Sequence, residues 1–417
     1  MSNIVLATIG SLGDMHPKIA LALELKRRGH HATIAAMEFY RPKIEALGIG
    51  FAPMAPHLDP DDQELARDLM DARKGSEKIL REIIMPNLRA MYDDLSAAVD
   101  GADLLITGEI AYAVKSVVER SGVKWVSTSL QPGTFFSAYD PFLPPMAPWF
   151  RHLRFLGPGF YRNFYRAIRW TARNWYEPYK AFRRELGLDD GHDPIFSGKY
   201  SSLLHLALFS KVLGSPQPDW PRNTVQPGFC FYDGHTEVPE KQPALESFLD
   251  SGEPPIVFTL GSAAVMDARD FFDESVKAAK QLSRRAILLY GLFSDPPTGL
   301  NDDILGLQYA PYSHVFPRAA CVVHQGGVGT TGQTLKAGVP QIIVPFAHDQ
   351  PDNAARCERL GVARMIGRYK YTSSASAAAI KQVLADPRYV ENAAKAGEAV
   401  RLEGGTDDAC DAIENVL

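Results

Sequence analysis

The stretch over 321–353 constrains the fold of this chain more than any other part of the sequence. A short apolar run over 319–323 predicts a buried parallel strand, and a second run over 341–344 predicts its neighbour. Between them lie a glycine-rich loop and a short helical segment, which we expect to end at Gly338 because Pro340 prevents its continuation. Strands that alternate with helices in this way predict a doubly wound parallel sheet.

The same stretch has the composition of an anion-binding site. We expect its helix to begin with a capping box formed by Thr330 and Gln333. Glycines allow a ligand to approach the backbone, and free N–H groups at a helix start favour phosphate. His324 ends the first strand, where it is placed to donate a hydrogen bond to a phosphate oxygen. Asp349 and Gln350 follow the second strand and suit sugar hydroxyls. The alternative is a tight turn whose polar groups are satisfied locally.

These residues resemble the nucleotide-sugar signature of the GT-B glycosyltransferases, the UDP-glycosyltransferase superfamily. The bacterial antibiotic, rhamnolipid and sterol-type form, His-x-Gly-Gly-x-Gly-Thr-Thr followed by Ala-Gly-Val-Pro and Asp-Gln, matches closely. The resemblance implies that His324 and the 327–331 loop hold the diphosphate, while Asp349 and Gln350 hold the sugar. Gln333 stands where plant members carry a ribose-binding Glu.

A further segment resembles the part of the family that contacts the nucleobase. Tyr309 replaces a Trp and can stack on a pyrimidine, although a plain buried Tyr309 is the alternative; Tyr312 replaces a Gln. Ser262 follows another predicted strand. The implied donor site therefore comprises Ser262, Tyr309, Tyr312, His324, Gly326, Gly327, Gly329, Thr330, Thr331, Gln333, Asp349 and Gln350.

Length and composition set the frame for this site. A chain of 417 residues is too long for one ordinary core and predicts two domains. A net charge of −5 argues against nucleic acid as a partner. The four cysteines lack metal-ligand spacing and fit reduced thiols. The first strand follows directly after Met-Ser-Asn, and no run of about 18 apolar residues occurs, so we expect a cytoplasmic enzyme without signal peptide or membrane span.

The domain organisation follows from the resemblance and from one polar segment. We expect an N-terminal acceptor-binding domain over 1–233 and a linker over 234–244, where the sequence is polar and rich in helix breakers. A C-terminal nucleotide-sugar-binding domain should cover 245–398. The resemblance implies that a last helix, 399–417, packs back on the first domain. We expect a monomer or a weak homodimer.

The N-terminal loop supplies the predicted catalytic base. The segment over 10–17 follows the first strand, but its glycine spacing is not that of a dinucleotide-binding loop. It resembles the family's Gly-Ser-x-Gly-Asp-x-x-Pro, in which plant relatives carry a catalytic His at the position of Asp14. The resemblance implies that Asp14 is the base; the alternative is a turn or N-cap residue. His16 is a competing base, and Glu109 could support or replace Asp14.

The region over 135–186 combines many aromatic residues with arginines. One interpretation is the wall of a pocket for an apolar acceptor, with Phe135, Phe136 and Trp149 as binding residues. A basic surface in peripheral contact with a membrane is a further interpretation. The alternative is a set of helices that pack their aromatic residues inward and leave the arginines in solvent.

The acidic segment 59–61 bears on metal binding, and the family resemblance implies the reaction. Asp59, Pro60 and Asp61 spell a metal-sugar motif of a different fold, but no apolar strand adjoins them, so we expect a solvated turn and no metal. No cofactor is expected beyond a UDP- or dTDP-sugar co-substrate. The predicted reaction is inverting transfer of glucose or rhamnose to a hydroxyl of a lipid, flavonoid, sterol or polyketide. A nucleotide-sugar 2-epimerase and a non-catalytic binding protein are the alternatives.

Overall fold

Two parallel β-sheets, each covered by helices on both faces, form the two domains of the chain. The computed structural model describes residues 1–58, 62–191, 193–234, 243–292 and 294–417. The α/β class and the two doubly wound domains predicted from the sequence are confirmed.

The first domain contains a sheet of seven parallel strands within the described residues. These strands are β1 (Asn3–Ala7), β2 (His31–Ala36), β3 (Gly50–Pro53), β4 (Leu104–Thr107), β5 (Lys124–Ser129), β6 (Leu204–Ala207) and β7 (Thr224–Val225). Their order across the sheet is β3-β2-β1-β4-β5-β6-β7. The α-helices are α1 (Leu12–Arg27), α2 (Arg41–Ala46), α3 (Gln63–Leu69), α4 (Gly75–Lys78), α5 (Leu88–Ala98), α6 (Val114–Ser121), α7 (Gly157–Ala172) and α8 (Glu177–Glu185). A π-helix covers Ile79–Ile84, and 3-10 helices cover Glu38–Tyr40, Pro132–Phe135, Pro148–Leu156 and Arg173–Tyr176.

The second domain contains a sheet of six parallel strands in the described part of the chain. These are β8 (Ile256–Thr259), β9 (Ala286–Leu289), β10 (Ile304–Leu307), β11 (Cys321–His324), β12 (Gln341–Ile343) and β13 (Ala363–Met365), in the order β10-β9-β8-β11-β12-β13. The helices are α9 (Pro243–Asp250), α10 (Gly261–Ala264), α11 (Phe271–Gln281), α12 (Tyr312–Val315), α13 (Val328–Ala337), α14 (Gln350–Arg359), α15 (Ser373–Ala385), α16 (Pro387–Arg401) and α17 (Thr406–Glu414). Short 3-10 helices cover Val265–Asp267, Phe316–Arg318 and Arg368–Lys370.

Alternation along the strands divides each domain's core between the two faces of its sheet. Ile4 and Leu6 of β1 pack on the face that carries α1, whereas Val5 packs into the cluster on the opposite face. In the second domain, Phe258 and Val257 of β8 separate in the same way. Because parallel sheets are covered on both faces, their strands are short, continuous apolar runs.

The last helix connects the two domains. It packs on α1, and its buried residues Ala409 and Ile413 belong to the first domain's core. Arg28 of α1 forms ion pairs with Asp411 and Glu414. This crossing helix is α17, since α16 ends at Arg401.

The predicted linker, 234–244, falls mainly on residues 235–242, which lie outside the described residues. Positions 243 and 244 are already the first residues of α9, so they belong to the second domain.

The start of α13 differs from the prediction. The helix begins at Val328, Gly327 is its N-cap, and no side chain caps it. The predicted capping box of Thr330 and Gln333 is therefore wrong, because both residues lie within the helix and are buried. The predicted end is confirmed, since Gly338 adopts the left-handed conformation at φ 72°. Among the described residues, no side chain therefore caps the backbone N–H groups of the first turn of α13.

Candidate active site

The predicted functional loops lie where the strand order of each sheet reverses. β1 pairs with both β2 and β4, and β8 pairs with both β9 and β11. In open α/β sheets, ligands bind at this point, beyond the carboxyl ends of the strands. The loops after β1 and β4 carry Asp14 and Glu109, and those after β8 and β11 carry Ser262 and Gly326. Helix α1 contacts α10 and α13, so the two sets of loops face each other.

Asp14 both caps its helix and belongs to this cleft. It is the third residue of α1, and its Oδ2 accepts a hydrogen bond of 2.9 Å from the Ser11 N–H, which completes a capping box. Its Oδ1 accepts no hydrogen bond from a described residue. Burial raises the pKa of Asp14 to about 6, against the Ser11 hydrogen bond, and the Glu109 carboxylate raises it further. Asp14 can serve both as a helix cap and as a base, because the cap uses Oδ2 and leaves Oδ1 to accept a proton.

The structure separates Asp14 from the competing base His16. Residues two apart on an α-helix point to nearly opposite sides. The His16 ring packs edge-on against Tyr232, with 5.2 Å between ring centroids. Burial lowers the pKa of His16 to about 4, and the nearby Lys43 adds to this shift. His16 is therefore neutral, and it lies on the side of α1 that faces Tyr232.

A buried lysine, which the sequence analysis missed, lies one helical turn after Asp14. Lys18 is fully buried, and its Nζ donates to Thr128 Oγ1 at 2.5 Å. Burial lowers the pKa of Lys18 to about 8, and the carboxylates of Asp14 and Glu109 oppose the shift. The signal in the sequence was a lysine beside the apolar residues Ile19, Leu21 and Ala22, because a lysine is rarely fully buried unless its charge is paired.

His324 holds the glycine-rich loop through a hydrogen bond with its backbone. It is fully buried, its Nδ1 accepts from the Gly326 N–H at 3.1 Å, and its Nε2 lies 2.8 Å from Gln341 Oε1. Because Nδ1 accepts, Nε2 carries the proton and donates to Gln341. Burial lowers the pKa of His324 to about 4. Both ring nitrogens have partners within the protein, and the predicted hydrogen bond from His324 to phosphate stays a prediction.

Gln325, the residue after His324, is a buried amide that the sequence analysis missed. It is 6% exposed, and its Oε1 has no hydrogen-bond partner among the described residues. A Cβ on Gly327 would lie 2.8 Å from Gln325 Nε2, and one on Gly261 would collide with the same atom. The amide therefore lies between the loops that follow β8 and β11. Its position immediately before the paired glycines was the signal in the sequence.

The rest of the loop leaves room for a ligand. Gly326 adopts φ 90°, and a Cβ there would lie 2.7 Å from Ile343 Cγ2, so only glycine fits. Gly329, in the first turn of α13, has no atom within 4 Å of a Cβ position. The Thr331 hydroxyl is buried without a partner among the described residues, and Thr330 is buried beside it. Gln333 is buried further along α13, so its ribose contact stays a prediction.

The second strand end carries Asp349 and Gln350, the two residues predicted to hold the sugar. Asp349 Oδ2 accepts from Asn353 Nδ2 at 2.7 Å, and the same Asn353 amide donates to the Gly326 carbonyl at 2.9 Å. Burial raises the pKa of Asp349 to about 7, and the charge of Asp14 contributes to the rise. Gln350 Oε1 accepts from the backbone N–H groups of Phe346 and Ala347, so the oxygen holds its own loop. Sugar contacts of Asp349 and of the Gln350 Nε2 group stay predictions.

The two tyrosines predicted at the nucleobase already have partners within the protein. The Tyr312 hydroxyl lies 2.8 Å from Thr259 Oγ1 and its ring stacks on Phe316 at 4.4 Å, so its contact with the base stays a prediction. Tyr309 is 40% exposed, and its hydroxyl donates to the Asp233 carbonyl oxygen. Its stacking on a pyrimidine stays a prediction. Ser262 is exposed at the start of α10.

The three predicted acceptor residues differ in their exposure. Phe135 is buried and stacks on Trp220 at 3.9 Å, so it is a core residue and its prediction as an acceptor contact is wrong. Phe136 is half-buried, adopts φ 48°, and packs against Phe196. Trp149 is 60% exposed and packs against Phe150. An acceptor contact of Phe136 or Trp149 stays a prediction.

An ion cluster of Asp140, Arg154, Asp352 and Arg356 joins the two domains beside the site. Arg356 of α14 is 2% exposed; its Nε donates to Asp352 at 2.7 Å and its guanidinium also pairs with Asp140 of the first domain. Asp352 Oδ1 accepts from the Leu143 N–H at 3.0 Å, and Arg154 pairs with Asp140 at 2.6 Å. Helix α14, which starts beside Asp349, is thus fixed to residues 136–147 of the first domain, here called the acceptor-side loop.

Two findings concern metals and membranes. Asp59, Pro60 and Asp61 lie outside the described residues, and within the described ranges no group of three His, Cys, Asp or Glu side chains could hold a metal ion. In that same part of the chain, no helix is long and apolar enough to cross a membrane.

Two family models match the chain, one in each domain. The glycosyltransferase family 28 N-terminal domain matches residues 4–117, and the erythromycin biosynthesis protein CIII-like C-terminal domain matches residues 297–403. O-mycaminosyltylonolide 6-deoxyallosyltransferase from Streptomyces fradiae is 33% identical over 432 aligned positions, which cover 99% of this chain and 97% of that protein. A sterol 3-beta-glucosyltransferase from Leptosphaeria maculans is 29% identical; the match covers 100% of this chain and 29% of that longer protein.

Solved structures agree with the fold. The glycotransferase of kitacinnamycin superposes with a TM-score of 0.75 at 23% identity, covering 100% of this chain and 99% of that one. Spinosyn rhamnosyltransferase SpnG gives a TM-score of 0.71 at 15% identity and 100% coverage of both chains. The paired switch-point loops, the two domain matches and the full-length relative lead to one conclusion: this chain belongs to the GT-B UDP-glycosyltransferase superfamily and is an inverting glycosyltransferase.

Proposed function

We propose that this enzyme transfers a sugar from a nucleotide diphosphate sugar to a hydroxyl of an apolar small molecule, with Asp14 as the base. The observation that carries the proposal is the contact of α1, which carries Asp14, with α10 and α13 of the other domain, at the switch point of each sheet. Burial raises the pKa of Asp349 to about 7, and the smaller contribution from the charge of Asp14 agrees with this arrangement. A sugar held by Asp349 in this cleft would have its anomeric carbon within reach of a hydroxyl activated by Asp14.

The reaction follows from the placement of these groups. Asp14 accepts the proton of the acceptor hydroxyl as its oxygen attacks the anomeric carbon. The bond from that carbon to the diphosphate breaks on the opposite face, so the configuration inverts. The leaving diphosphate is stabilised by the N–H groups and dipole at the start of α13 and by the Gln325 amide. The new glycoside and the nucleoside diphosphate are the products.

The donor and acceptor classes are proposals that the relatives support. Thymidine diphosphate is bound in solved structures of SsfS6 and SpnG, which share the fold, so a dTDP-sugar is the first donor to test, with UDP-sugars next. The names of the relatives point to a polyketide or a sterol as the acceptor. Glucose and rhamnose stay the candidate sugars. The four cysteines are free thiols, which supports a cytoplasmic site of action.

We expect Gln325→Leu to weaken the binding of dTDP and UDP about tenfold to a hundredfold. The change keeps side-chain size but removes an amide that would donate to a charged oxygen, a bond worth about 1.5–3 kcal/mol. Isothermal titration calorimetry of each nucleotide with the wild type and the variant measures the loss. The control is Gln382→Leu on the exposed side of α15. Equal affinities in the wild type and Gln325→Leu would remove Gln325 from the diphosphate site.

We also expect the enzyme to need neither a metal ion nor another cofactor. Its helix start and amide supply the donors for the leaving diphosphate, and the described residues form no metal-binding cluster. Dialysis against EDTA should leave the initial rate unchanged, as measured by liquid chromatography of the released nucleotide. Loss of activity that magnesium or manganese restores would contradict this mechanism.

A further inference from the structure

Several large apolar side chains are exposed in the segment 148–172 of the first domain. Trp149 is 60% exposed, Phe155 is 80% exposed and Trp170 is 65% exposed. They belong to the 3-10 helix Pro148–Leu156 and to α7, where Phe160 is also exposed. Water-exposed aromatic residues are common singly, but a group on one face marks an interaction surface.

Helix α7 shows that this face is built separately from the core. Its buried residues are Tyr161, Tyr165 and Ala172, which are spaced to form one inward stripe. The exposed stripe consists of Arg162, Arg166, Arg169 and Trp170, which lie within about 100° of one another around the helix axis; the exposed Arg173 follows directly after α7. The sequence alternative, in which the aromatic residues pack inward and only arginines face solvent, holds for Tyr161 and Tyr165 but fails for Trp149, Phe155 and Trp170.

The charge of this segment is opposite to that of the chain. Residues 141–176 contain six arginines and no Asp or Glu, although the chain carries a net charge of −5. Arg151 and Arg154 pair with Glu358 and Asp140. The other four arginines have no described carboxylate within 4 Å; they contact neutral groups, such as the Trp170 ring beneath Arg173. The exposed stripe therefore keeps its positive charge available.

We propose that this aromatic–arginine face binds peripherally to the surface of an anionic lipid bilayer. Tryptophan prefers the level of the lipid headgroups, and arginines on the same face attract anionic lipids. A second copy of the chain fits this face less well, because a twofold contact would place the same unpaired arginines against each other. The proposal goes beyond glycosyl transfer, and lipid binding is measured without the reaction.

Cosedimentation with vesicles tests the proposal on the full chain. We expect binding to vesicles of phosphatidylcholine with phosphatidylglycerol, little binding to phosphatidylcholine alone, and release at high salt. Arg166→Glu with Arg169→Glu should weaken binding about tenfold or more. Phe155→Ser with Trp170→Ser should weaken it in a salt-independent way. The matched controls are Arg67→Glu with Arg120→Glu, and Leu402→Ser with Val390→Ser, all exposed elsewhere on the chain.

Three results would overturn the proposal. The first is the absence of cosedimentation with anionic vesicles by the wild type. The second is equal vesicle binding by the face variants and their controls, with folding checked by circular dichroism. The third is a dimer in analytical ultracentrifugation that the face variants dissociate, which would make the face a contact between copies. A wild-type protein that binds anionic vesicles but transfers no sugar would instead contradict only the proposed function.

Discussion

Asp14→Asn should lower the turnover of an alcohol acceptor by about 10²–10⁴ while leaving nucleotide affinity nearly unchanged. The amide oxygen can still accept the Ser11 N–H that Asp14 Oδ2 accepts at 2.9 Å, so the cap of α1 is kept. What is lost is the ability to take a proton. Phenol acceptors should lose less than aliphatic alcohols, because they release their proton more readily.

The pH dependence should identify the same group. Burial raises the pKa of Asp14 to about 6. A base must be ionised to act, so the wild-type rate should rise with pH through about 6, and this limb should be absent in Asp14→Asn. Burial raises the pKa of Asp349 to about 7, so its ionisation should add a second limb to the pH–rate profile. Removing the charge of Asp14 should move that second limb to lower pH.

Two variants distinguish Asp14 from its competitors. His16→Ala should stay active, because His16 faces Tyr232 on the other side of α1. Glu109→Gln should lower the pKa of Asp14, since the Glu109 charge contributes to raising it. Near-normal turnover of an alcohol by Asp14→Asn, together with an inactive His16→Ala, would show that His16 is the base.

Arg356→Met should lower the free energy of unfolding by about 3–5 kcal/mol. Arg356 is buried between Asp352 and Asp140, and its removal leaves Asp352 charged in the interior without a counter-charge. Because Asp140 belongs to the other domain, the variant should also loosen the contact of α14 with the acceptor-side loop. Urea denaturation followed by circular dichroism measures the loss of stability.

The matched control is Arg151→Met, whose pair with Glu358 also joins the acceptor-side region to α14 but is solvent-exposed. It should change the free energy of unfolding by at most about 1 kcal/mol. The double variant Arg356→Met/Asp352→Leu should recover part of the loss, because the unpaired charge is gone. A loss in Arg356→Met no larger than that in Arg151→Met would mean that the buried pair does not stabilise the interface.

The features of the fold that depend on local chemistry could be predicted from the sequence. Short apolar runs gave the strands, and Gly338 followed by Pro340 marked the end of α13. Gly326 adopts φ 90°, a conformation that favours glycine, whereas the approach of a ligand to its backbone stays a prediction. The capping box failed because a Thr-x-x-Gln pattern is equally compatible with the interior of a helix whose glycine already serves as N-cap.

The direction of polar side chains could not be predicted from the sequence. His324 and Gln350 look like ligands, but buried polar groups must first satisfy the surrounding backbone, and both do so. Gln325 and Asn353 were missed because the groups beside them follow other strands: Gln325 lies against Gly261 after β8, and Asn353 donates to Gly326 after β11. Arg356 was missed because its two carboxylates are 4 and 216 residues away in the chain, and the second is brought near only by the contact between domains.

The most direct test of the account is mass spectrometry of the products from a panel of dTDP- and UDP-sugars with polyketide, sterol and flavonoid acceptors. The account predicts an acceptor that gains one hexose or deoxyhexose, an equal amount of nucleoside diphosphate, and an inverted anomeric configuration by NMR. All of this should be lost in Asp14→Asn. An epimerised nucleotide sugar without any acceptor product, or release of free sugar alone, would contradict it.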